Sequence, residues 1–160
     1  MGHAPIVKHL AELSKYSIAE NQEGHLQEDV RQIFLTGPED GSATSVFYEV
    51  WDPQSEQPDN SHPDSVEIFL FLSGHGRATC DEYETDVRAG DVLVLPAGSV
   101  HRIRNTSRTE RMYAVTIMAN DPGAMPGGFA KLVTDGVASP VDEVDLATIL
   151  SDPIALPEHD

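Results

Sequence analysis

Gly90-Asp91-Val92-Leu93-Val94-Leu95-Pro96-Ala97-Gly98-Ser99-Val100-His101-Arg102-Ile103-Arg104-Asn105 is the stretch whose reading decides the fold. Val92 to Leu95 is a short apolar run of β-favouring residues, and its length suits a strand. Pro96 fixes its own φ and Gly98 tolerates a positive φ, so the run ends in a sharp turn. A second strand then resumes, with His101 and Ile103 on one face and Arg102 and Arg104 on the other. A histidine just past such a turn is held in one direction. That suits a metal ligand, whose geometry must be set before the ion arrives.

Upstream lies a partner stretch, Asn60-Ser61-His62-Pro63-Asp64-Ser65-Val66-Glu67-Ile68-Phe69-Leu70-Phe71-Leu72-Ser73-Gly74. His62 precedes a proline, so its backbone is extended. Glu67 sits in an apolar run from Val66 to Leu72, where an unpaired carboxylate is costly to bury. A nearby cation removes that cost. Without further context, His101 reads as a histidine bonded to backbone and Glu67 as one half of a salt bridge to an arginine such as Arg111. Together, His62, Glu67 and His101 supply two imidazoles and one carboxylate.

These two stretches resemble the two signature motifs of the cupin superfamily. Gly90, Pro96, Gly98, His101 and Asn105 match the second motif at every fixed position, and His62, Glu67 and Gly74 match the first. Asn60 stands where the first motif has its leading histidine, and Gln54 where it has its leading glycine. The matched region runs from Asn60 to Asn105, and compatible strand patterns extend it to about Met118. The resemblance implies an all-β, single-domain cupin-type jelly-roll β-barrel with short terminal helices. It also implies a divalent transition metal on His62, Glu67 and His101. Asn60 is then a residue that touches a ligand without binding the metal, a surface loop residue or a weak oxygen ligand; the last suits Ca²⁺ better than a transition metal.

The rest of the chain bounds this reading. At 160 residues it is long enough for one domain with a substantial core. The expected division is an N-terminal extension over 1–24, the barrel over 25–119, and a flap-like loop and C-terminal segment over 120–160. A formal charge of −17 argues against nucleic acid and anionic membrane surfaces as partners. No apolar run reaches membrane-spanning length and residues 1–20 do not read as a signal peptide. The single cysteine, Cys80, excludes an internal disulfide framework. A cytoplasmic protein is the expectation.

Ile6, Val7, Leu10 and Leu13 recur at helical spacing and predict a short helix within the first 20 residues. His25 to Leu35 and Ala43 to Trp51 read as strands. Arg77 to Cys80 and Tyr83 to Val87 form a hairpin around Asp81-Glu82, and Arg111 to Met118 is a further strand. Asp142 is the expected N-cap of a helix within Val141 to Leu150. The Gly- and Pro-rich run 120–129 is a surface loop or a flap over the barrel mouth. Glu67 fixes strand parity, so Phe69 and Phe71 share its inward face. Either Phe47 and Trp51, or Tyr48 and Val50, add to the pocket wall. His25 and His75 are the remaining candidates for an extra ligand, with a solvated hairpin position the better reading of His75. Arg102, Arg104, Arg108 and Arg111 belong to an outer face, paired with acids.

Two imidazoles and a carboxylate leave about three coordination positions open, the facial triad of non-haem Fe(II) oxygenases. A small-molecule substrate and O₂ fit those positions together, so a dioxygenase-like oxidoreductase with Fe(II) is the expectation. Zn, Ni, Mn or Co suit the same ligands, and the metal then serves as a Lewis acid in an isomerase, lyase or decarboxylase. A non-catalytic small-molecule-binding cupin is the alternative from another class. Small cupins pair or exchange edge strands, so a homodimer is expected, with His25 to Leu35 contributing.

Overall fold

The computed structural model describes residues 4–18, 27–119 and 137–151. Among the described residues, ten strands are arranged in two antiparallel sheets: β1 Ser14–Ile18, β2 Gln27–Thr36, β3 Thr44–Trp51, β4 Glu67–Ser73, β5 His75–Cys80, β6 Tyr83–Arg88, β7 Val92–Leu95, β8 His101–Asn105, β9 Met112–Ala119 and β10 Ala138–Pro140. A short helix, α1, follows over Glu143–Ile149. The larger sheet has the order β10-β1-β2-β3-β9-β4-β7 and the smaller β6-β5-β8. No helix among the described residues is long and apolar enough to cross a membrane.

The two sheets bury one core between them. Val30, Trp51, Phe69 and Phe71 come from the larger sheet, and Ala78, Val87 and Ile103 from the smaller. Alternation along each strand sets which side chains enter it. On β4, Glu67, Phe69 and Phe71 are buried while Leu70 is exposed, as the parity argument requires. On β3 the inward set is Ser45, Phe47, Glu49 and Trp51, which decides the choice that sequence left open. Val50 is buried too, but on the opposite face of the sheet. There it joins Ile33, Tyr113 and Val141 beneath Leu146 and Ile149 of α1.

This outer layer corrects the N-terminal reading. The expected helix is a single 3₁₀ turn over Leu10–Glu12, followed directly by β1. Leu10 and Leu13 do pack on the apolar layer under α1, but they reach it from a turn. The competing force is strand pairing: β1 lies between β2 and β10, and Ser14 to Ser17 alternates in burial. Lys15 is buried on that outer side. Its Nζ lies 2.8 Å from Asp142 and 2.5 Å from Asp145. Asp142 caps α1 as expected, in a capping box with Asp145. Arg111 reaches the same two acids and Asp52, so it is not the partner of Glu67.

β2 runs from Gln27 in the described chain and is flanked by β1 and β3. The segment expected to pair with a second copy is therefore interior to the sheet here; the edges of the larger sheet are β7 and β10. The 120–129 flap and His25 lie outside the described residues.

Candidate metal centre

The turn between β7 and β8 is built as the sequence suggests. Gly98 has φ +79°, its N–H donates to the His62 carbonyl at 2.9 Å, and the Ser99 hydroxyl donates to the Pro96 carbonyl at 2.7 Å. The two motifs are thus tied together at the backbone. A second tie lies one strand over. Asn60 and His101 exchange N–H···O bonds of 2.9 and 2.8 Å, which lays the segment before β4 alongside β8.

At the far end of β8, Asn105 is fully buried. Its amide donates to the carbonyls of Trp51, Asp52 and Glu110, and its side-chain oxygen accepts from the Ser107 N–H. The motif asparagine therefore clamps two loops and touches no metal candidate. Gln54, in the glycine place of the first motif, keeps the left-handed backbone of a glycine at φ +64°. Its side chain donates to the carbonyls of Thr106 and Ser107, which offsets the cost of a positive φ.

His62, Glu67 and His101 converge. One ligand atom from each lies within 4.8 Å of the others, and all three residues are buried. Glu67 Oε2 is 2.8 Å from His101 Nε2 and 3.6 Å from His62 Nε2. His101 Nδ1 lies 3.1 Å from the Ser99 carbonyl. That oxygen only accepts, so Nδ1 carries the proton and Nε2 presents a lone pair in the neutral ring. A lone pair and a carboxylate oxygen at 2.8 Å repel unless a proton or a cation lies between them. Neither Glu67 Oε2 nor His101 Nε2 has a hydrogen-bond partner, which is the arrangement a cation relieves.

The titration directions carry the same tension. Burial pushes His101 down, but the Glu67 carboxylate, with the Ser99 carbonyl and Glu49, outweighs it and the group is raised. Burial pushes His62 down, Glu67 opposes that, and His101 adds to it; the net direction is lowered.

Asn60 is exposed. Its amide nitrogen lies 3.0 Å from His62 Nε2 and its oxygen accepts from the Ser61 N–H. It thus contacts a ligand candidate with a donor rather than offering oxygen to the centre. His75 is exposed at the start of β5 and does not join the group. Arg102 pairs with Glu56 and Asp59 on the outer side. Phe69 and Phe71 stack at 6.1 Å, with Trp51 6.3 Å from Phe69, and Phe47 packs against Met118.

Glu49 was not singled out from sequence. It is 1% exposed on the inner face of β3. Gln32 and Gln57 donate to its Oε1 at 3.0 and 2.8 Å, and Thr116 donates to Oε2 at 2.8 Å. Burial, and then the charge of Glu67, push it up to about 7 despite those three donors. The missed signal is parity: once Phe47 and Trp51 face inward, Glu49 between them must do so too.

A family model described as "Cupin domain" matches residues 47–118, which contain all three ligand candidates. Over those residues the chain matches the cupin superfamily. Among curated proteins, it is 29% identical over 118 residues to "Putative germin-like protein 9-2" of Oryza sativa subsp. japonica, covering 69% of this chain and 55% of that one. It is 45% identical over 49 residues to "Uncharacterized protein YdbB" of Bacillus subtilis (strain 168), covering 30% and 43%. The chain thus spans about half the length of the curated relatives it matches. Among solved structures, a predicted oxalate decarboxylase from Thermotoga maritima superposes with a TM-score of 0.61 at 20% identity, covering 71% of this chain and 98% of that one. That likeness is one of fold.

Proposed function

We propose that this cupin is a metal-dependent enzyme acting on a small organic molecule, and specifically a non-haem Fe(II) oxygenase. The carrying observation is the convergence of His62, Glu67 and His101 with two buried, unpartnered acceptor atoms, Glu67 Oε2 and His101 Nε2, facing each other. Mixed imidazole and carboxylate donors suit Fe(II), and also Zn, Ni, Mn or Co. Iron held there supplies open positions for O₂ and substrate, which is the chemistry of a facial triad.

The chain's own residues set up that chemistry. Ser99 fixes the tautomer of His101, so Nε2 is the ligating atom. Backbone ties to Asn60 and Gly98 hold His101 and His62 in register before an ion arrives. Asn60 places its amide nitrogen 3.0 Å from His62 Nε2, the ring nitrogen that faces Glu67. Phe47, Phe69 and Trp51 are fully buried inner-face residues, and rings of this kind keep bulk water from the reacting centre. The jelly-roll barrel, a homodimer and a cytoplasmic location belong to the same proposal; light scattering reads the dimer.

The test is anaerobic loading with Fe(II), followed by nitric oxide as a probe of open iron positions and by O₂ uptake in the presence of candidate substrates. The proposal expects a paramagnetic nitrosyl signal and O₂ consumption that Zn(II) does not support. Turnover that persists without O₂, or that Zn(II) supports fully, removes the oxygenase reading in favour of an isomerase, lyase or decarboxylase.

A further inference from the structure

Asn60 stands at the rim of the metal centre and brings a donor to it. Its neighbours settle which way its amide points. The Ser61 N–H donates to Asn60 Oδ1 at 2.9 Å, so the oxygen is turned to the backbone and the amide nitrogen is the atom 3.0 Å from His62 Nε2. An amide nitrogen only donates. His62 Nε2 therefore accepts with its lone pair, and the proton of the neutral ring sits on Nδ1. A proton on Nε2 would instead face the amide N–H at the same short distance.

The centre is thus a set of three acceptors. Glu67 Oε2 and His101 Nε2 lie 2.8 Å apart without hydrogen-bond partners. His62 Nε2 lies 3.6 Å from the same carboxylate oxygen, but its lone pair is already in use. An imidazole nitrogen has a single lone pair in the ring plane. That lone pair serves an N–H donor or a metal ion, and never both. The third acceptor of the centre is therefore held by Asn60 and is open to an ion only when the amide leaves.

The backbone of Asn60 is not free to withdraw. Its N–H and its carbonyl are both bonded to His101, at 2.9 and 2.8 Å. The residue is exposed, so water replaces the lost contact of a departing amide at small cost. Release is then a rotation of the side chain, with β8 and the segment before β4 unmoved.

We propose that Asn60 is a displaceable cap on His62 Nε2: it holds the ring in the ligating tautomer in the metal-free protein, and a divalent ion binds only after the amide has turned away. The proposal rests on the metal-centre reading and adds its regulation. Binding proceeds through the fraction of molecules whose amide is off, and the apparent affinity is lowered by that fraction. One neutral hydrogen bond at such a position is worth a factor of about five.

The experiment titrates Co(II) into chelator-treated wild type and Asn60→Ala, with visible absorption as the equilibrium readout and stopped flow for the rates. Asn60→Ala is expected to bind Co(II) about fivefold tighter. The gain lies in the association rate and leaves dissociation unchanged, because the amide is already off in the bound state. A side chain that merely steadied His62 would give the reverse, weaker binding and faster release. A second readout needs no metal. Nitrogen NMR of the imidazoles in the metal-free protein should show the His62 Nε2 signal shifted by Asn60→Ala, with His101 Nδ1, held by the Ser99 carbonyl, unmoved. Equal or weaker Co(II) affinity in Asn60→Ala, or an unshifted His62 signal, overturns the proposal. Uptake by both proteins with equal affinity overturns this proposal alone; uptake by neither overturns the metal-centre reading with it.

Discussion

Replacing Glu49 by glutamine is expected to stabilise the metal-free protein at pH 8 and to leave it nearly unchanged at pH 4.5. Glu49 is pushed from an ordinary 4.5 up to about 7, first by burial and then by Glu67. A raised folded-state value means that the native protein holds this proton more tightly than the unfolded chain does. Its contribution is fully present below the unfolded value and is lost as pH rises through about 7. At about 1.4 kcal/mol per pH unit, the wild type loses roughly 3 kcal/mol across that window. Glutamine resembles the protonated acid in shape and charge and loses nothing there. Glu49→Gln therefore gains roughly 3 kcal/mol over wild type at pH 8, on the order of 6–12 °C in Tm for a chain of this size. Urea unfolding of chelator-treated protein at the two pH values measures it. A gap of the same size at both pH values, or a glutamine variant less stable at pH 8, refutes the reasoning.

Other substitutions test the scaffold around the site. Gly74→Ala should cost more than about 2 kcal/mol: its φ is +84° and a Cβ would lie 2.9 Å from Met112 Cα. Gly98→Ala, at φ +79° with open space around it, should cost only about 1 kcal/mol in the same urea titration. Asn105→Ala leaves the Ser107 N–H without its acceptor and takes a donor from the carbonyls of Trp51, Asp52 and Glu110, of which Asp52 keeps its Ser55 donors. Calorimetry should show a loss of about 3–5 kcal/mol, with metal content at folding temperatures unchanged.

What sequence made legible follows from how local each signal is. His62, Glu67, Gly98 and His101 sit in two short stretches whose turns and strands are set by near neighbours, so the resemblance of those stretches to the two family motifs was enough to bring the three ligand candidates together. The Asp142 cap of α1 and the hairpin around Asp81-Glu82 are local in the same sense. β1 is not local: its partner β10 lies more than a hundred residues away, so Ile6 to Leu13 displayed helical spacing without revealing the pairing. Glu49 failed for another reason. Tyr48 and Val50 are as apolar as Phe47 and Trp51, and with both faces of β3 covered, alternation does not show which one faces inward. Only Val30 and Met112 closing on Trp51, while Ile33 and Tyr113 close on Val50, settles it.

The central claim is a transition-metal centre on His62, Glu67 and His101, and metal analysis of the reconstituted protein with X-ray absorption at the bound metal's edge tests it most directly. The account predicts one divalent ion per chain, with nitrogen and oxygen neighbours at about 2.0–2.3 Å, lost in His101→Ala and in Glu67→Ala and retained in Asn60→Ala. A wild-type chain that takes up no ion after reconstitution, or a His101→Ala variant that keeps its ion with unchanged neighbours, would contradict it.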